Sequence, residues 1–530
     1  MGLFESRGNR GVGTWPSRRA RIRPGAIALA QGDRSLSYAE LAERSARLAS
    51  VLRDRGVGHG DRVAYLGLND VRAFETFFAT GLLGAIFAPL NFRLAPAEVA
   101  YMLADSGSRV LVVGHGVDDL VGSTLALDTP VEHVVSFAAR PTPGADDFES
   151  AIAAATPLAD VVDVTLDDPA LLLFTSGTTG RPKAAVLTHG SLTWNTFNQL
   201  GHIDFVSTDR ILCFAPLFHA VGFGQSTLAT LFKGGTVEML DGFDAGTVLR
   251  TIGEHRITGM AVVPTMLQMM AEHPDWDAAD LSSLRYVNYG GSPATERISK
   301  AWQARGVVLQ QGYGMTEAAP GVYMAPREGS DERPVSIGVP HFFTDVAMLD
   351  QQGRVVPVGS DRGELLVRGP HLFDGYWQRP DDSAATVVDG SWFRSGDVVR
   401  VDHDGWAYVV DRIKDVIISG GENIYPAEIE AVLMTFESIR SVAVVARPDD
   451  RWGEVGVAFV ERAPGSEVTE AEVRAHLEGH LARFKIPAQF VFVDGLPRNA
   501  SGKVLRTDLR DRVQPDRAQP DRAQPGGTTP

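Results

Sequence analysis

The sequence predicts an α/β protein. A large N-terminal domain of parallel and mixed sheets flanked by helices, carrying a β-rich subdomain, should precede a small α+β domain. Three observations lead there. The 530 residues exceed what one hydrophobic core supports, so more than one domain is expected. Apolar strand segments alternate with helical ones from Asp61 to Leu309, which is the rhythm of a sheet covered on both faces. From Val335 the chain changes to short strands and glycine-rich turns, and after Asp411 to a mixed pattern.

Taken in order, Ser37 and Glu40 form a capping-box pattern, and Leu41, Leu48, Val51 and Leu52 then mark one helical face. Asp61 to Leu68 reads as a strand, Val71 to Ala85 as a helix and Val110 to Val113 as a strand. Leu171 to Phe174 is a buried strand. Next come the strand beginning at Ile211, a helix over 225–231, strand 236–240, helix 245–255, and strands 259–264 and 284–291. The β-rich part holds Asp345 to Asp350, Gly363 to Gly369 and Trp406 to Val410. The last domain holds a strand over 416–419, a helix over 426–436, strands 442–446 and 455–460, and a helix over 470–481. The repeated Gln-Pro-Asp-Arg-Ala at Gln514 and Gln519 has no apolar content and predicts a disordered tail over 511–530.

Composition narrows the function. Hydrophobic residues at 44% and charged ones at 22% are those of a globular protein. A net charge of −16 argues against nucleic-acid binding, which needs clustered Lys and Arg. The basic run Ser17 to Arg23 reads as a solvated face, too short to carry a claim of contact with an acidic membrane surface. Cys213 is the only cysteine, so no internal disulfide forms, and its apolar neighbours make it a core residue. No apolar run is long enough to span a bilayer and no secretory signal is visible, so a cytoplasmic location is expected.

The chemistry concentrates in five stretches. Leu171 to His189 reads LLLFTSGTTGRPKAAVLTH. Gly177 and Gly180 let backbone N–H groups approach a polyphosphate, Thr175, Ser176, Thr178 and Thr179 supply hydroxyls, and Lys183 supplies charge. It is not the G-x-x-x-x-G-K-[ST] loop, so ATP would be held in another architecture. Gln310 to Glu317, QQGYGMTE, offers a tight backbone at Gly312 and Gly314, a flat ring at Tyr313, and oxygen ligands at Thr316 and Glu317. Such oxygens, with substrate phosphates, suit a hard cation such as Mg²⁺. Asp397, in Trp392-Phe-Arg-Ser-Gly-Asp397, can take ribose hydroxyls. Asp411 to Pro426 combines a charged cluster, an apolar strand and a Gly-Gly turn, as an interdomain hinge would. Lys503 stands on a Ser-Gly turn within Pro497 to Arg506.

Together these five stretches resemble the acyl-adenylate-forming, AMP-binding superfamily of acyl-CoA synthetases, peptide-synthetase adenylation domains and luciferases. The resemblance covers roughly residues 10 to 510 and is nearest to bacterial medium- or long-chain fatty-acid–CoA ligases. It implies ATP-dependent joining of a carboxylic acid to coenzyme A through an acyl-adenylate, with AMP and pyrophosphate released. The alternatives are transfer to a carrier-protein phosphopantetheine and an aryl-acid–CoA ligase. The implied domains are 1–410, with the β-rich subdomain at about 335–410, a hinge at 411–415, and a mobile C-terminal lid at 416–510.

Residue by residue, the resemblance implies that Thr175 to Lys183 wrap the β- and γ-phosphates. Gly290, Gly291 and Ser292 would line the adenine and acyl pockets. Tyr313 would stack on adenine, with Gln311, Gly312, Gly314, Met315 and Thr316 around the nucleotide. Thr175 and Glu317 would hold Mg²⁺, and Asp397 and Arg412 the ribose. Lys503 would reach the α-phosphate and the carboxylate. Lys414 would be the hinge position, and Gly420, Gly421 and Glu422 would line a pantetheine tunnel. His219, in Pro216 to Phe223, resembles the family's aromatic residue between adenylate and acyl pocket. Amino-acid-activating members of the resembled family place an aspartate in the region of Ile211 to Gly224, and acetate-specific ones a tryptophan at the Met315 motif; this sequence has neither, so the resemblance implies a longer acid without an amine. Val262, Val263, Met266, Ala220 and Phe223 offer apolar lining. Ala184 and Ser395 depart from the family's usual glycine and threonine. The expected partners are the acid, ATP and CoA, and a homodimer is the assembly considered.

Overall fold

The computed structural model describes residues 8–513 apart from 141, 161, 176–180, 292–295, 351, 360, 420–421, 479 and 500–501; the side chains of 296, 422 and 423 are likewise not described. The fold is α/β, as the alternation predicts. Two large sheets carry it. One has the strand order 146–147, 133–136, 110–113, 62–66, 86–89, 169–175, 183–188, parallel apart from the final hairpin. The other runs 339–340, 321–324, 309–314, 286–289, 259–262, 210–213, 236–239, 27–31, 34–37, with a parallel centre and antiparallel ends.

Helix Val71–Leu83 is buried along most of its length and belongs to the hydrophobic core that takes in residues of both sheets. Its Phe74 and Phe77 rings lie 4.9 and 5.1 Å from Phe223, and Phe87 lies 5.7 Å from the same ring. Asp70 starts this helix by accepting from Arg72 N at 2.8 Å, and Gly84 ends it in the left-handed region at φ 67°. The capping box forms as expected: Ser37 Oγ accepts from Glu40 N, and Glu40 Oε2 accepts from Ser37 N, opening helix Tyr38–Asp54. Leu41, Leu48, Val51 and Leu52 are all buried. Cys213 is buried in this core, and burial pushes its thiol up to about 12, so it is no nucleophile.

Several elements depart from the sequence reading. The expected helix over 225–231 is two helices, Ala220–Gly224 and Thr227–Lys233, parted by Ser226 at φ 70°. Strand Gly259–Val262 stops before Pro264, which opens an unforeseen helix, Pro264–Ala271. Helices Glu296–Gln303 and Arg506–Val513 were also unforeseen. Residues 511–513, expected in the tail, close that last helix, and 514–530 lie outside the described residues.

The β-rich stretch forms a sheet of strands 355–356, 345–349, 363–368, 392–401 and 387–388, with 407–412 joined to 392–401. The chain divides into two compact units. The first is Met1–Asp361, Leu365–Ser395 and Val401–Tyr408; the second is Arg362–Glu364, Gly396–Arg400 and Val409–Pro530. In the second unit, strands Ile439–Asp449 and Gly453–Arg462 pair antiparallel, and Gln489–Val493 adds in parallel. Helices Pro426–Leu433 and Glu470–Glu478 place Ile429, Leu433, Val473 and Leu477 in that unit's core. No helix among the described residues is long and apolar enough to cross a membrane.

Candidate active site

In the first unit, strands Pro169–Thr175 and Lys183–Thr188 pair with Thr175 opposite Lys183. Leu171, Leu172 and Leu173 are buried, which anchors the hairpin, and its tip is the glycine and hydroxyl loop. Ser176, Gly177, Thr178, Thr179 and Gly180 lie outside the described residues. Thr175 Oγ1 donates to Lys183 O at 3.3 Å. The Lys183 ammonium lies 2.8 Å from Asp382 Oδ2 and 5.8 Å from the centre of the Tyr376 ring. Ala184 is fully buried in a cluster with Ile86 and Leu172, so this departure from the usual glycine is a core contact.

Strand Tyr286–Tyr289 runs parallel to Leu309–Gly314, with Tyr289 opposite Gln311. The Tyr289 hydroxyl lies 2.8 Å from Pro334 O and 3.0 Å from the Gln311 side-chain amide, bracing that buried group. A Cβ on Gly290 would stand 2.9 Å from Gly312 O, and one on Gly314 would stand 1.6 Å from Pro320 O. Both positions therefore demand glycine for close backbone approach. Gly291 has φ 86° and is exposed; Ser292 lies outside the described residues. Tyr313 is half-buried, its ring 6.3 Å from that of Tyr323. Met315 N donates to Pro320 O at 2.9 Å, turning the chain into the short helix Thr316–Ala318 that holds Glu317.

Glu317 is reached from another segment. Phe373 N donates to Glu317 O at 2.8 Å, and the Tyr376 hydroxyl donates to Glu317 Oε1 at 2.7 Å. The sequence reading missed Tyr376 and Asp382; their signal was a Gly-Tyr-Trp run and an acidic pair that belonged to none of the five stretches.

His219 precedes helix Ala220–Gly224, whose Gly224 packs on Ala319 beside the Glu317 turn. Its ring lies 4.6 Å from Phe218, and Phe218 lies 5.3 Å from Phe92. Burial, with Arg93 adding, pushes the imidazole down to about 4, so it is neutral at neutral pH. Its Nε2 is buried without a hydrogen-bond partner among the described residues. Of the expected apolar lining, Phe223 and Ala220 belong to the hydrophobic core and Val262 is buried, which leaves Val263 and Met266 half-exposed.

In the second unit, Arg412 Nε lies 3.0 Å from Asp397 Oδ1, and Asp397 is buried. Lys503 follows Gly502, at φ 80°, and its backbone N–H donates to Asn499 Oδ1 at 2.9 Å. Packing around the ammonium, then Arg412 and Lys414, push it down to about 8 against the pull of Asp397 and Asp415. Four expected residues, Asp397, Arg412, Lys414 and Lys503, thus share one neighbourhood. Lys414 sits in the turn Ile413–Asp415, and its carbonyl accepts from Arg510 at 3.3 Å. Glu422 pairs with Ser419 through the backbone; Gly420 and Gly421 lie outside the described residues.

The chain matches the AMP-binding enzyme model over residues 17–377 and the AMP-binding enzyme C-terminal domain over 428–503. It belongs to the AMP-binding enzyme family. A feruloyl-CoA synthase of Amycolatopsis sp. is 47% identical over 504 residues, 95% of this chain and 99% of that protein. An indoleacetate–CoA ligase of Aromatoleum aromaticum is 41% identical over 94% of this chain and 97% of its own. The solved Mycobacterium tuberculosis fatty acyl CoA synthetase is 32% identical with a TM-score of 0.78, covering 95% of this chain and 99% of that one. This AMP-binding enzyme is an acid–thiol ligase: it joins an acyl or aryl acid to CoA through an adenylate, using ATP. The fatty acid expected from sequence is not singled out among these relatives.

Whether Mg²⁺ suits the site depends on Glu317. One of its oxygens accepts from Tyr376, and no other hydrogen bond to this carboxylate occurs among the described residues. No cluster of three or more His, Cys, Asp or Glu that could hold a metal exists among them either. A single carboxylate with one oxygen left open fits a cation that takes its remaining ligands from phosphate and water.

Proposed function

We propose that this ligase activates an aromatic acid, of the arylalkenoate or arylacetate type, and passes it to CoA. His219 carries the reading. A neutral imidazole with an unpartnered buried Nε2, beside Phe218, which in turn packs on Phe92, offers a ring face for stacking and one polar atom for a ring hydroxyl or N–H. The names of the feruloyl and indoleacetate relatives support the same class. A medium- or long-chain fatty acid is the competing substrate, supported by the mycobacterial structure.

The chemistry needs charge control. A carboxylate cannot expel oxide, so it first attacks the α-phosphate of ATP, and pyrophosphate leaves. Two anions meet in that step, and fixed positive charge placed where the transition state needs it typically dominates such catalysis. Thr175 to Lys183 would hold the leaving pyrophosphate, and Lys503 the α-phosphate and carboxylate. Tyr313, with Gln311 to Thr316 and Gly290 to Ser292, would hold the adenine, and Asp397 with Arg412 the ribose. Thr175 and Glu317 would hold Mg²⁺, which when bound neutralises phosphate charge. CoA thiolate then displaces AMP along Gly420 to Glu422, with Lys414 as the pivot between half-reactions. Domain limits at 410 and 416, and action in the cytoplasm, complete the proposal.

The test is pyrophosphate release with hydroxycinnamates, arylacetates and saturated fatty acids, each with and without CoA. The highest kcat/KM should fall on an aromatic acid. A saturated fatty acid at the top would overturn the aromatic reading. His219→Ala should lower kcat/KM for hydroxylated aromatic acids more than for unsubstituted ones.

A further inference from the structure

The segment after Leu372 carries a role for Tyr376 that follows from where its hydroxyl points. Asp374 N donates to Val186 O at 2.9 Å, Val186 N to Gly375 O at 2.9 Å, and Trp377 N to Ala184 O at 2.8 Å. These bonds, with an antiparallel bridge between Ala185 and Tyr376, extend the edge of the phosphate hairpin by a short strand. Ser383 Oγ accepts from Tyr376 N at 2.8 Å, which fixes the residue from the other side. The ring is therefore set by backbone pairing, and its hydroxyl meets Glu317 Oε1 at 2.7 Å. Phe373 N holds the carbonyl of the same glutamate at 2.8 Å. One four-residue stretch thus grips Glu317 at both main chain and side chain while lying along the strand that starts at Lys183.

We propose that Tyr376 is a positioning residue: its hydroxyl holds one oxygen of Glu317 so that the other is presented to the divalent cation of bound ATP, in register with the Lys183 hairpin. The inference rests on the reading of Glu317 as a cation ligand. A glutamate on a turn has three rotatable bonds to fix, and a neutral phenol can fix it without competing for the cation. A lysine or arginine there would neutralise the ligand, whereas a hydroxyl leaves its charge in place.

The experiment compares the full chain with Tyr376→Phe, Glu317→Gln and the double variant. Mn²⁺ binding to the enzyme–ATP complex is read by electron paramagnetic resonance, and ATP binding without metal by calorimetry. Thermal melts of each variant report folding. Tyr376→Phe should weaken Mn²⁺ binding roughly tenfold, in the range of outer-partner losses at metal sites, while metal-free ATP binding is unchanged. Adding Tyr376→Phe to Glu317→Gln should cost nothing more. Wild-type Mn²⁺ affinity in folded Tyr376→Phe, with a loss in Glu317→Gln, would overturn the role of Tyr376 alone. Wild-type affinity in Glu317→Gln would remove the underlying reading of Glu317 as well. If Tyr376→Phe melts early, the double variant still decides: equal Mn²⁺ affinity in it and in Glu317→Gln supports the coupling, and an additive loss overturns it.

Discussion

The Lys183 ammonium lies 2.8 Å from Asp382 Oδ2, so the cation assigned to phosphate already has an anionic neighbour. Both side chains retain solvent contact, and such pairs contribute only about 0.2–1 kcal/mol. The carboxylate also repels any phosphate brought to the same ammonium. Asp382→Asn should therefore tighten ATP binding, by up to about fivefold, with little change in melting temperature. Calorimetric ATP titration at low and high salt checks it, and the gain should shrink at high salt. Weaker ATP binding would mean that Asp382 orients the lysine instead.

Lys503 is the cation whose protonation should be visible in kinetics. Its ammonium is pushed down to about 8 by the packing around it and by Arg412 and Lys414. A depressed ammonium is charged below that pH and neutral above it. Acid-dependent pyrophosphate release should fall as pH rises through about 8. Thioester formation from supplied acyl-adenylate should instead rise with CoA thiol ionisation, near roughly pH 8.5. Lys503→Ala should cost about 100- to 1,000-fold in the first half-reaction, the usual loss for one transition-state donor, and spare the second. Equal losses in both would sink the division of labour.

Much of this was legible in sequence because local chemistry wrote it there. The capping box at Ser37 and Glu40 needs only neighbours in the chain. The apolar run at Leu171 announces a buried strand by composition alone. Tyr376 could not be read the same way. Its partner Glu317 is 59 residues distant, and the contact exists only because residues 374–377 add to the edge of a strand near residue 185. Phe223 misled for a related reason. Its position in the His219 stretch suggests a pocket wall, but Phe74, Phe77 and Phe87 enclose it. Helix Pro264–Ala271 was hidden because Val262 and Val263 continue the apolar pattern up to a proline that begins a helix as readily as it ends a strand.

Glu75 is fully buried on helix Val71–Leu83, and Arg44 and Arg34 reach its two oxygens at 2.9 and 3.2 Å. Glu149 binds the same two arginines and Arg72, which closes the cluster. Removing one member of a buried ionic group leaves the others uncompensated, at roughly 3–5 kcal/mol. Glu75→Gln should fall at the low end, about 3 kcal/mol, because Glu149 retains both arginines. Urea unfolding measures it. Glu75→Gln with Arg34→Gln should cost less than the sum of the single changes, since the two groups are in direct contact.

Buried histidines should make the first unit sensitive to acid. Burial pushes His371 down to about 4, and does the same to His189. His341 is driven lower still by burial and by its neighbours His202 and His371, its ring centre 4.5 Å from that of His202. In the unfolded chain each titrates near the ordinary value of about 6.5. Above that pH both states are neutral and stability is unaffected. As pH falls from about 6.5 towards 4, the unfolded chain takes up protons that the folded one refuses, so stability drops, by roughly 3 kcal/mol for each such group once pH reaches 4. Melting temperature followed by calorimetry from pH 7.5 to 4 should decline steeply below 6.5. His371→Gln, which keeps a polar group for Thr344 without a titrating ring, should flatten part of that decline. An unchanged slope in His371→Gln would place the acid sensitivity at other groups than His371; Glu149, held by Arg34, Arg44 and Arg72 and lowered to about 2, does not account for it, since its contribution is lost only over a more acidic range.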